Sequence, residues 1–131
     1  MAFASSADET LLVMTPDPAS LTDAYAFAKL LFRATPSRTP LVLVNMAGTE
    51  NEAHRTFDAL ATTARAFLKT EPEYLGGIPR DPKAGDAVRR QCHLLTLHPQ
   101  APSSCAIETI ARKIQGRSQP RPQPAARASI R

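Results

Sequence analysis

The chain has 131 residues, 43% hydrophobic and 21% charged, with 16 basic and 12 acidic side chains and a formal net charge of +4. That length allows one hydrophobic core, and no apolar run reaches the ~18 residues that a membrane-spanning helix needs. The charge is uneven: Arg112, Lys113, Arg117, Arg121, Arg127 and Arg131 give residues 112–131 a charge of +6, leaving ten basic and twelve acidic groups, or −2, on the rest.

The N-terminus "MAFASSADET" has no basic segment leading into a long apolar core, so no secretory signal is expected and a cytoplasmic location is. "TLLVMT", residues 10–15, is an unbroken apolar run stopped by Pro16 and predicts the first strand. Ser20 is placed to cap a helix, whose inner face is Leu21, Ala24, Tyr25, Ala28, Leu31 and Phe32 at 3–4 residue spacing. "PLVLVN", residues 40–45, predicts the second strand. A helix over 50–69 follows, with Ala53, Phe57, Leu60, Ala61, Ala64, Phe67 and Leu68 inward and Glu50 and Glu52 at its positive end. "EYLGGI", residues 73–78, is a weaker third strand ending at Pro79.

Runs that do not alternate suggest strands buried on both faces, as in a parallel sheet covered by helices. Strand, helix, strand, helix, strand reads as two successive βαβ units. A short helix over 82–91 follows, then "HLLTLHP", then a last helix over 102–115 that Gly116 is expected to end. One side of that helix is Ala106, Ile107, Ile110, Ala111 and Ile114, which suits packing on the sheet or reversible membrane attachment. The Pro-rich basic remainder reads as disordered. Cys92 and Cys105 have no partners at metal-ligand spacing and are expected to be small core residues in a reducing compartment. His54, His93 and His98 are not arranged as a zinc site, so no metal and no catalytic residue is assigned. With so little chain ahead of it, the first strand leaves an apolar edge open to another chain.

The stretch "LLVMTPDPASLTDAYAFAKLL" resembles the C-terminal half of the MinD/ParA family of P-loop ATPases, nearest to the FlhG/FleN type that controls flagellar number and position. The Thr15-Pro16-Asp17-Pro18 turn and the Leu21-Thr22-Asp23-Ala24-Tyr25 helix start carry the likeness. "LVLVN", "LGGIPRDPKAGDAVRRQ" and "SSCAIETIARKI" match further motifs in the same order, so the resemblance spans about residues 3–115. It implies an α/β fold: a partial doubly wound, Rossmann-like sheet of the SIMIBI P-loop type, three parallel strands with flanking helices. Residues 1–116 would form the C-terminal half of a nucleotide-binding domain and 117–131 a disordered tail.

The resemblance makes Asn45 the residue that reads adenine, since a carboxamide offers an acceptor and a donor in one plane, matching N6 and N7 of the base. Closing a turn through its own backbone is the alternative use of Asn45. Pro79, Arg80 and Asp81 would form the opposite wall, or an ordinary strand-to-helix turn with Asp81 as cap. Asp23 would lie near a partner subunit, or be a solvated carboxylate. The family's Gly-Lys-Ser/Thr phosphate loop does not occur in this sequence, whose lysines are Lys29, Lys69, Lys83 and Lys113. The family binds ATP with magnesium. This chain alone is expected to bind nucleotide weakly or not at all and to lack ATPase activity, as a truncated or split product. Expected partners are a second copy or a missing N-terminal half, with weak contact to anionic membrane at the inner face and no specific nucleic acid. A non-enzymatic interaction module, or a peripheral membrane-associated regulator, is the alternative.

Overall fold

A computed structural model describes Ala4 and residues 6–117. Strands β1 (Leu11–Met14), β2 (Leu41–Ala47) and β3 (Glu73–Pro79) lie side by side in that order, all parallel. Helices α1 (Pro18–Ala34) and α2 (Glu50–Phe67) connect them. After β3 come α3 (Pro82–Arg89), the single turn α4 (Leu94–Leu97) and α5 (Pro102–Arg117). The three-stranded parallel sheet of the sequence reading is therefore present, while the tail from residue 118 lies outside the described residues.

Each helix start has a local cause. Pro18 stands in the first turn of α1, where its missing N–H costs nothing. Ser20 does not cap α1: it lies inside the first turn, and its hydroxyl accepts the Thr15 N–H at 2.9 Å, tying the end of β1 to the helix. Thr49 caps α2, its hydroxyl accepting the Glu52 N–H at 3.0 Å while Glu52 reaches back to the Gly48 N–H at 3.4 Å.

The sheet separates two apolar clusters. In-register neighbours share a face, so Leu12, Met14, Val42 and Val44 pack under Ala24 of α1 and Ala53 and Leu60 of α2. On the other face Leu41, Leu43 and Leu75 meet Ile110 of α5, with Ile78 and Ile114 beside them. Each buried Val or Leu contributes about 1.5–3 kcal/mol relative to exposure, so β2, buried on both faces along residues 41–44, anchors the sheet.

Four further expectations are corrected. β1 is not buried on both faces: Leu12 and Met14 are inside, but Leu11 and Val13 are 39% and 55% exposed because α5 covers β3 and β2 only. Phe67 is 75% exposed, since Leu68 takes the core position and Lys69 then turns the chain at φ 54°. Gly116 does not end α5 in a left-handed cap; the helix continues to Arg117, which donates to both carboxylate oxygens of Glu73 at 2.7 Å. Cys92 and Cys105 are both exposed, because Ser103 and Ser104 occupy the buried positions at the start of α5 and Cys92 lies in the turn after α3.

Candidate functional site

β2 and β3 do not pair in one continuous register. Val42 faces Tyr74, but Leu43 faces Gly76, so Leu75 is an extra residue on β3. Further on, Val44 faces Gly77 and Ala47 faces Pro79, so β2 spends Asn45 and Met46 against Ile78 alone. Bulges of this kind re-aim side chains at strand ends. The second one is closed by the Arg80 N–H donating to the Ala47 carbonyl at 2.9 Å. Within it Met46 adopts a left-handed backbone, φ 57°, and its N–H donates to Asn45 Oδ1 at 2.8 Å.

That bulge opens into a cavity of about 670 Å³ beyond the carboxyl ends of β2 and β3. Asn45, Pro79, Arg80 and Asp81 all line it. The rest of the lining is mostly apolar: Met46, Ile78, Val88 on α3, Leu94 on α4 and Ile107 on α5. Met46 is 47% and Val88 76% exposed, which places two large apolar side chains at an open site. Ligands in open parallel sheets bind at this end of the strands.

The site residues differ in how free they are. Asn45 has one lone pair of Oδ1 engaged by Met46, which fixes the carboxamide plane; the second lone pair and the amino group remain for a ligand. This is the turn-closing bond of the alternative reading, and it leaves base recognition open to the same side chain. Asp81 is committed: Oδ1 accepts the Lys83 N–H at 2.9 Å, and Oδ2 accepts the Ser103 N–H at 3.1 Å and the Ser103 hydroxyl at 2.7 Å. It thereby caps α3 and ties α3 to α5. The Ser103 hydroxyl, then the Lys83 and Ser103 amides, hold the Asp81 carboxyl below its ordinary value. Arg80 is exposed at the rim.

A second tie steadies the wall. His98 Nε2 lies 2.8 Å from Asp86 Oδ2, joining the α4 turn to α3, and this bond is the main cause of a lowered Asp86 pKa. The His98 carbonyl accepts the Ser104 hydroxyl at 2.7 Å. His54 belongs to another cluster, with Tyr74 at 4.6 Å between ring centroids and Glu50 at 3.3 Å. Asp23 is exposed on α1. Sequence reasoning missed Met46, Val88 and Ser103. Val88 alone had a legible signal, an apolar residue in a short polar helix close behind Pro79.

No family model matches the chain. It is 35% identical over 114 residues to the antiactivator FleN of Pseudomonas aeruginosa, covering 87% of this chain and 41% of that protein. It is 31% identical over 112 residues to the flagellum site-determining protein YlxH of Helicobacter pylori, covering 84% of this chain and 37% of that one. Among solved structures, the MinD cell division protein of Aquifex aeolicus superposes with a TM-score of 0.65 at 29% identity, over 92% of this chain and 49% of that chain. The cell division ATPase MinD of Pyrococcus furiosus, at 20% identity and a TM-score of 0.66 over 86% of this chain and 44% of that one, shares the fold. The chain thus spans about two fifths of the curated relatives it matches.

Proposed function

The chain belongs to the MinD/ParA family, on its flagellar-placement side, and from that premise we propose that it supplies the adenine-facing wall of an ATP site in a protein that helps place flagella. The observation that carries this is the convergence of Asn45, Pro79, Arg80 and Asp81 on one largely apolar cavity at the carboxyl ends of β2 and β3. Adenine is flat and neutral, with apolar faces and a polar edge. Met46, Ile78, Pro79 and Val88 suit its faces, and the pinned carboxamide of Asn45 suits its edge.

The residues fit the base and not the phosphates. No Gly-Lys-Ser/Thr loop occurs in the 131 residues, and phosphoryl transfer rests on positioning and charge stabilisation of the phosphates. Magnesium and the phosphates would be gripped by residues outside this sequence, and hydrolysis is not assigned to it. A purine held at about 0.3 kcal/mol for each of roughly ten ring atoms gains about 3 kcal/mol, which is millimolar binding.

The membrane reading is weaker, since Ile110 and Ile114 of α5 are already packed on the sheet. No helix among the described residues is long and apolar enough to cross a membrane.

Titrating the chain with adenosine and with guanosine, followed by nuclear magnetic resonance, tests the proposal. Adenosine should shift the Asn45 carboxamide and the Met46 and Val88 methyl signals, and Asn45→Leu should abolish the effect. An equal response to guanosine, shifts elsewhere, or ATP turnover by the purified chain would overturn it.

A further inference from the structure

The cavity at the carboxyl ends of β2 and β3 is larger than the base proposed for it. At the ~30 Å³ that a water molecule takes in the liquid, the roughly ten non-hydrogen atoms of adenine fill about 300 Å³, under half of the about 670 Å³ present. With its polar edge on Asn45 of β2, the base leaves the side furnished by the helices, where Ala84 and Gly85 of α3, Leu94 of α4 and Ile107 of α5 form the wall. That side is apolar, and its polar groups are taken: the Ser103 N–H and hydroxyl both donate to Asp81 Oδ2. Arg80 is exposed and the Arg89 side chain is 74% exposed, so neither charge is sunk in it.

Nothing in the fold calls for Gly85. It lies inside α3, where only proline is a poorer helix former. No close approach requires it: a Cβ there would meet only Arg89 Nη1, at 3.5 Å, which is ordinary contact. No left-handed backbone requires it either, since among the glycines of the described residues only Gly76 has a positive φ. What the missing side chain leaves is room in the cavity, for Arg89 lines the same wall. We propose that Gly85 keeps open an apolar chamber beside the place of the adenine, and that this chamber takes an apolar group carried on N6 of the base. The attachment point follows from Asn45. Its Oδ1 has one lone pair left after the Met46 N–H, enough for one N6 hydrogen, while its amino group donates to N7. The second N6 hydrogen faces away from N7 and is the one that a substituent replaces. C8 adjoins N7, so a group there meets the edge that Asn45 holds. The inference rests on the adenine reading and adds to it the size of the ligand.

The test compares adenosine, N6-benzyladenosine and C8-benzyladenosine on the full chain by nuclear magnetic resonance titration. Burial of the benzyl group should make N6-benzyladenosine bind at least tenfold more tightly than adenosine, with shifts at Asn45 and at the Leu94 and Ile107 methyls. The C8 compound should show no gain. Gly85→Leu and, separately, Ala84→Leu should bring the ratio of the N6-benzyladenosine and adenosine affinities to about one, and Gly85→Leu should melt no lower than the wild-type chain. Leu30→Lys, at an exposed residue on α1, should keep the tenfold ratio. Adenosine binding at Asn45 without a gain from the N6 group would overturn the chamber and leave the adenine reading standing, whereas binding of neither nucleoside at Asn45 would overturn both. An equal gain from the C8 group, a ratio indifferent to both leucine variants, or a Gly85→Leu chain that melts lower would each overturn the proposal.

Discussion

Gly77→Ala adds one methyl group where β3 passes beneath α2. A Cβ at that position would stand 2.7 Å from the Cβ of Ala53 and 3.3 Å from the Tyr74 hydroxyl, against 3.4–4 Å for ordinary contact. Ala53 is fully buried in a helix, so no rotamer change makes room, and α2 must lift by about 0.7 Å. Overpacking of this kind costs about 1–3 kcal/mol, offset by about 0.5 kcal/mol from the stiffer unfolded chain. A net loss of about 0.5–2.5 kcal/mol lowers the melting temperature by roughly 2–20 °C in a domain of this size. Urea unfolding followed by circular dichroism measures it. Ala53→Gly alone costs about 1 kcal/mol of helix propensity but empties the contested space. The double variant should therefore be at least about 1 kcal/mol more stable than the summed single losses predict. If Gly77→Ala unfolds at the wild-type urea midpoint, or if the two losses simply add, close approach of α2 is not what requires glycine there.

Two further outcomes follow from the same cluster and from the cap of α2. Tyr74 is pushed up to about 12, first by burial and then by the Glu50 carboxylate that accepts its hydroxyl. The phenol is thus favoured neutral in the folded state, and its contribution is complete below the ordinary tyrosine value of about 10 and is lost as pH rises toward 12. Phenolate absorbance should show this late titration, and Glu50→Gln should lower its midpoint while leaving it above the ordinary value; an unchanged midpoint would exclude the Glu50 contribution. Thr49→Ala removes the hydroxyl that accepts the Glu52 N–H and should cost about 1 kcal/mol in urea unfolding, whereas Thr49→Asp should restore most of it.

The three strands were legible because apolar runs broken by Pro16, Asn45 and Pro79 mark buried parallel strands. Helices α1, α2 and α5 were legible from spacing, apart from their ends, where single hydrogen bonds decide, whereas the single turn α4 (Leu94–Leu97) was not foreseen. Ser20 and Thr49 are both plausible caps by residue type, and only Thr49 has an N–H of its own helix to accept. The exposure of Leu11 and Val13 was not legible, because an apolar run does not record which faces its neighbours cover. The site was half legible. Asn45 and the Pro79–Asp81 turn stand out as polar or rigid residues at strand ends, whereas Ser103 joins them only through the fold, 22 residues from Asp81. Nothing in "NMAG" announces the bulge, since Met46 in a left-handed conformation is a choice that local propensity opposes.

The two bulges also set a parity rule for this sheet. Side chains along a strand alternate between faces, so one surplus residue turns over everything after it. β3 spends its surplus at Leu75 and β2 repays the displacement at Asn45 and Met46, so Ala47 and Pro79 meet in the same offset as Leu41 and Glu73. Deleting a residue from either strand alone would leave the two out of step where Pro79 and Arg80 begin, and a one-residue loss in β2 is tolerable only with a matching loss in β3. Length in these strands can therefore drift only in pairs.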